Sequence, residues 1–141
     1  MADEGDGDDI NTVLARAQAA VAALSRDYLV WARADIEAAQ RLLAAAQSEP
    51  DRRPEHVAAL FNIAHNIKGQ GSSFGYPLIT RLGQSLCQLT RAPGSFVDAD
   101  FALAIAHLDI MEQILQQEAR DDGSAVLRQE IEQIESAVAA R

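Results

Sequence analysis

The sequence predicts an all-α fold: an antiparallel four-helix bundle with an additional N-terminal helical segment. Apolar residues recur every three or four positions from Ile10 almost to the end of the 141-residue chain, the spacing of one helix face. Proline and glycine fall in short clusters between these runs, where they punctuate helices rather than interrupt them. No stretch alternates apolar and polar residues as a half-buried strand would.

Residues Met1 to Asp9 hold five acids and two glycines with no apolar period, the composition of a disordered acidic tail. Residues 10–141 then read as a single helical domain. Val13, Ala17, Val21 and Leu24 form one stripe, and Leu29, Ala32, Ile36, Ala39 and Leu43 form another, with a break or bend expected over Ser25–Asp27. Ser48–Pro54 is a loop, its closing proline suited to a first helical turn. The next helix is expected from Glu55 to Ser73, with Val57, Leu60, Ala64, Ile67, Gly71 and Phe74 as its apolar or small seam. Gly75 suits the left-handed position after a helix end, and Pro77 opens a helix reaching about Arg91. Ala92–Ser95 is a turn. Phe101, Ile105, Leu108 and Leu115 mark a further helix that Asp121–Ser124 ends, and Leu127, Ile131, Ile134 and Val138 mark the last. The four middle helices would form the bundle, with the N-terminal segment lying across one end.

A 48% apolar share with only 5% aromatics implies a core of aliphatic side chains. The net charge of −9 argues against nucleic acid and anionic membranes as partners. One cysteine, Cys87, excludes an internal disulfide. With no apolar leader or spanning segment, a cytoplasmic location is expected.

The stretch His65–Gly75, HNIKGQGSSFG, departs from the rest. The chain has 27 alanines but none between His65 and Arg91, and its only lysine is Lys68. Gly69 and Gly71 sit inside the expected helix, although each costs about 1 kcal/mol against alanine there. Residues three and four apart are neighbours on a helix, so Phe61, His65, Lys68, Gly69 and Ser72 share one strip beside the buried seam. The two glycines would clear the surface around the imidazole for another molecule's backbone. An ordinary imidazole is largely neutral near pH 7 and can act as a nucleophile without a strong base. If it accepted a phosphoryl group, Lys68 could offset the added negative charge and Ser72 could donate a hydrogen bond. A site on a flank rather than in a pocket implies that a partner brings the remaining machinery.

His65-x-x-Lys68-Gly69, with Gly75 ten residues after the histidine, resembles the signature of histidine-containing phosphotransfer (Hpt) domains. Ile67–Tyr76 looks particularly like the phosphotransfer domain of chemotaxis-type histidine kinases, and the helical pattern from about Tyr28 to Glu118 fits the same domain. The resemblance implies a phosphoryl carrier rather than an enzyme. His65 would exchange phosphate with an aspartate of a receiver domain, Lys68 would steady the group, and Phe61, Gly69, Gly71 and Ser72 would form the docking surface. It implies partners in a hybrid histidine kinase's receiver domain and a response regulator, with the magnesium ion on the receiver and no cofactor here. Many relatives carry Gln or Glu 22 residues after the histidine to hold its other ring nitrogen. Cys87 stands there in this chain, so Gln84 or Gln88 is left to reach that nitrogen. The reading from another class is a helical adaptor that binds receiver domains without taking phosphate.

The remaining candidates read as structural. His56 reads as a solvated first-turn residue, His107 as a satisfied interfacial histidine, and Cys87 as a small buried apolar residue. Tyr28 and Trp31 read as caps on the bundle's end, and Arg52 and Arg53 as a solvated loop pair. No histidine has Glu three residues before it, which removes the di-iron pattern of helical bundles. No phosphate-binding loop or nucleophile elbow is present.

Overall fold

The computed structural model describes residues 2–120 and 124–141, with side chains from Asp9 onward. Among the described residues there are five α-helices and no strand: α1 (Ala2–Ser48), α2 (Arg53–Gly71), α3 (Pro77–Thr90), α4 (Asp98–Gln117) and α5 (Ala125–Ala140). Three single-turn 3-10 segments, Pro50–Arg52, Ser72–Phe74 and Pro93–Ser95, fill the connections. The backbone of residues 2–9, expected as a disordered acidic tail, runs as the first turns of α1; Met1 and the side chains of residues 2–8 lie outside the described residues. Asp121–Gly123, expected within the α4–α5 turn, also lie outside them.

The second half of α1 packs on α2 and α4, α2 packs on α3, and α3 packs on α4, closing a four-helix square; α5 lies outside it in the groove of α3 and α4. The core is aliphatic. Tyr28, Ala32, Ile36, Ala39 and Leu43 from α1 meet Val57, Leu60, Ala64 and Ile67 from α2, with Leu82, Leu86 and Leu89 opposite and Leu108, Met111 and Ile114 from α4 closing the ring. Each such leucine or isoleucine contributes roughly 1.5–3 kcal/mol by leaving water. Leu127, Ile131, Ile134 and Val138 are buried as their periodicity predicts.

The punctuation acts where the sequence places it. Gly75 adopts the left-handed conformation, φ 88°, after the 3-10 turn, and Tyr76 N–H returns to the Gly71 carbonyl at 2.9 Å. Pro77 occupies the first turn of α3. Ser124 accepts the Leu127 N–H to cap α5. Asp100 accepts the Val97 N–H at the start of α4 and is clamped by Arg141, 2.7 and 2.9 Å away, from the end of α5.

Two expectations need correction. The N-terminal segment does not lie across the bundle; α1 runs as one helix of 47 residues with no break at Ser25–Asp27, and Val13, Val21 and Leu24 are exposed. Amphipathic spacing reports a face that prefers cover, but not whether the chain supplies the cover. Arg53, read as solvated, instead pairs with Asp98 at 3.0 Å and stacks over Phe101 at 4.9 Å, bracing α2 against α4. Arg52 does remain at the surface, paired with Glu49 and Glu55.

Candidate functional site

Helix α2 is anchored along one side and bare along another. Val57, Leu60, Ala64, Ile67 and Gly71 are buried. One residue round the helix, His65 is exposed near its middle, Phe61 and Lys68 are half-buried, and Gly69 and Ser72 are exposed. The Phe61 and His65 rings are 6.4 Å apart and tilted by 39°, so the aromatic face supports the imidazole from the preceding turn. Among the described residues neither Gln84, Cys87 nor Gln88 hydrogen-bonds the His65 ring. Gln88 is exposed, whereas Gln84 keeps its side-chain Oε1 buried without a hydrogen-bond partner.

The two glycines after the histidine have different causes. A Cβ built on Gly69 meets nothing within 4 Å. Alanine would fit there within the chain and stabilise the helix, so packing gives no reason for glycine. Gly71 is buried, and a Cβ there would lie 2.5 Å from the Thr80 hydroxyl and 2.8 Å from the Thr80 nitrogen. Gly71 thus serves the α2–α3 crossing and is not part of an open face.

The matching contact on α3 is Gly83, which the sequence reading did not single out. A Cβ on Gly83 would stand 2.7 Å from the backbone nitrogen of Lys68. Glycine from each helix therefore brings the two backbones together, as small residues do at close helix crossings. Thr80, also missed, fastens the crossing: its hydroxyl donates to the Lys68 carbonyl at 3.0 Å and accepts the Ser72 N–H at 2.7 Å. A Thr whose hydroxyl spans two helices carries no signal in one sequence. The rigid α3 platform fixes the backbone at Lys68 and so the placement of the His65 turn.

Burial pushes the Cys87 thiol above its usual pKa, against the positive charges of Lys68 and Arg91, which draw it down.

The other histidines are structural. His107 is fully buried between α3 and α4, where its Nδ1–H donates to the Leu103 carbonyl at 2.7 Å and its Nε2 accepts from Ser85 at 2.8 Å. Burial pushes its pKa down, against the Leu103 bond and the Glu135 charge, which favour the cation. His56 is not simply solvated: its side chain is largely covered, and Nε2 lies 3.4 Å from Glu49 without a hydrogen bond.

Among the described residues no group of three or more His, Cys, Asp or Glu could hold a metal ion, and no helix is long and apolar enough to cross a membrane. No curated protein and no solved structure matches the chain significantly. A family model does: the Hpt domain, over residues 23–137. That span takes in the four-helix square and most of α5, and leaves out the start of α1 and the last four residues. Hpt domains are four-helix phosphoryl carriers that pair with receiver domains and need no cofactor. The chain belongs to the Hpt domain family, the phosphotransfer modules of phosphorelays.

Proposed function

We propose that His65 is the phosphoacceptor of this module, and that it carries the group between the receiver domain of a hybrid histidine kinase and a response regulator in the cytoplasm. The supporting observation is the exposed imidazole on α2 beside Gly69, whose missing side chain leaves open space that no internal contact requires. A receiver can bring its aspartyl phosphate onto this strip with its backbone close to that of α2. The lone pair of one His65 ring nitrogen attacks phosphorus in line, the P–O bond to the aspartate breaks, and the carboxylate leaves with the bonding pair. The other ring nitrogen keeps its proton. Lys68, one turn on, offsets the phosphoryl charge, and Ser72 offers a hydroxyl further along the same face. Phe61, Gly69 and Ser72 make the docking surface. The receiver supplies magnesium and alignment, so transfer runs in either direction according to which partner is phosphorylated.

Incubation with a phosphorylated receiver tests the assignment. The expected result is acid-labile, alkali-stable label on the wild-type chain that is lost in His65→Gln. Label persisting at the wild-type level in that variant would exclude His65, and absence of label with every receiver tried would favour an adaptor that binds without accepting phosphate.

A further inference from the structure

The acids of this chain are unevenly placed. Residues 56–97, which run through α2 and α3 up to α4, hold no Asp or Glu. The chain has 21 acids in 141 residues, so a proportionate share of this span would be about six. The span does hold three bases, Lys68, Arg81 and Arg91. The other 99 residues carry every acid and nine of the 12 bases, a net charge of −12.

This span supplies the face that carries His65. Exposed positions there are filled by uncharged polar side chains: Asn62, Asn66, Gln70 and Ser72 after the start of α2, and Gln88 on α3. Lys68 is half-buried and Arg91 exposed, and neither forms an ion pair among the described residues. The close approaches of Gly71 to Thr80 and of Gly83 to Lys68 set α3 antiparallel to α2. That register puts Arg91 level with Leu60, roughly 8 Å along the axis from His65, with Lys68 roughly 5 Å away in the other direction. Acids return at the margins. Glu55 opens α2, Asp35 of α1 edges a small cleft with Ile67 and Gln70, and Glu135 of α5 pairs with Arg81.

Two effects favour keeping acids off this face, and their reach differs. Sparing a phosphoryl group on His65 from repulsion needs a clearing of about 8 Å, the screening distance at physiological salt. The acid-free part of α2 alone runs roughly 24 Å, from His56 to Gly71, and the clearing continues over α3. That is the scale of a docking footprint, since about 800 Å² per partner makes a disc roughly 32 Å across. The clearing fits a macromolecular partner rather than the phosphoryl group alone.

We propose that this face selects receiver domains by charge, its occupant being a receiver whose docking face is acidic. The inference rests on the reading of the His65 strip as the docking surface. Lys68 and Arg91 attract such a partner, and the absence of acids removes opposing repulsion. The charge of −12 on the rest of the chain turns the same partner away from other orientations. A receiver with a basic docking face meets the reverse, repelled here and drawn to the wrong sides.

The test reads binding rather than label, by stopped-flow anisotropy of dye-labelled receiver domains from the same genome mixed with the full chain. The association rate should fall at least about fivefold between about 25 and 250 mM NaCl. At the lower salt, Arg91→Glu and Ala58→Glu should each slow association about fivefold. Ala58 is exposed two turns before His65, roughly 10 Å away and beyond the reach of a phosphoryl charge. Ala58→Lys should not slow association. Arg33→Glu, in the α1–α4 groove, should change the rate by less than about twofold. A rate independent of salt would overturn the proposal, as would Ala58→Lys slowing association as much as Ala58→Glu, which would mean bulk rather than charge. Salt-sensitive binding without label would remove the phosphoacceptor and leave charge selection standing. Normal label on His65 with salt-insensitive binding would do the opposite, and binding by no receiver would overturn both.

Discussion

His65 and His107 are chemically one side chain in two surroundings. His65 stands exposed on α2 with the Phe61 ring beside it. His107 is enclosed between α3 and α4 with both ring nitrogens hydrogen-bonded. A nucleophile needs a free lone pair and room for the incoming group, and a core polar group needs the opposite, every donor and acceptor satisfied. On the proposed function the two separate phosphotransfer from stability within one bundle, and substitutions at each should affect only one of them.

The largest expected effect is at His65 itself. His65→Gln should abolish phosphoryl acceptance while leaving the unfolding midpoint in urea nearly unchanged, since the side chain packs little. His107→Gln should do the reverse, retaining acceptance while losing about 2 kcal/mol of stability as its buried partners lose their matched geometry. A comparable loss of label in both variants would collapse the distinction.

Next in size are the glycines at the α2–α3 crossing. Gly83→Ala puts a methyl against the backbone at Lys68, and Gly71→Ala puts one against Thr80. Each should cost about 1–3 kcal/mol, read as a lower denaturation midpoint. Gly69→Ala meets open space and should stabilise the helix by up to about 1 kcal/mol. Gly69→Arg should leave stability intact yet weaken receiver binding, and normal affinity in a titration would contradict an open docking face.

Lys68→Ala should slow phosphoryl transfer by about tenfold, the worth of one charge-assisted contact to the phosphoryl oxygens, with helicity preserved in circular dichroism.

The smallest effect is pH dependence. The folded protein holds His107 neutral, with a pKa below its usual value. The unfolded chain therefore takes up a proton that the folded chain resists, and stability should fall as pH drops below about 6.5. Asp100 adds a second loss at lower pH. Its burial raises the carboxyl's pKa, but the Arg141 and Val97 hydrogen bonds and the Arg141 charge together hold it below the usual carboxylate value. Urea titrations between pH 7 and 5 should show the first decline in wild type and a shallower one in His107→Gln.

The same contrast explains what the sequence made legible. Helix ends at Gly75 and Pro77, the seam of α2 and the exposed strip of His65 follow from local chemistry: φ preference, helical period and neighbour spacing. Gly83, Thr80 and the buried role of Gly71 depend on how α3 registers against α2, which no single-helix pattern records. Arg53 was misread for the same reason, because its partners Asp98 and Phe101 lie far along the chain. The first stripe of α1 was misplaced because an apolar face has the same period whether it meets the chain's own core or remains exposed.

The central claim is that phosphate resides on the water-facing histidine. Tandem mass spectrometry of the chain, kept at alkaline pH after incubation with a phosphorylated receiver, tests it most directly. His56 and His65 share a tryptic peptide ending at Lys68, so fragment ions must separate them. The account predicts phosphate on His65 alone; phosphate on His56 or His107, or on no histidine while label is bound, would contradict it.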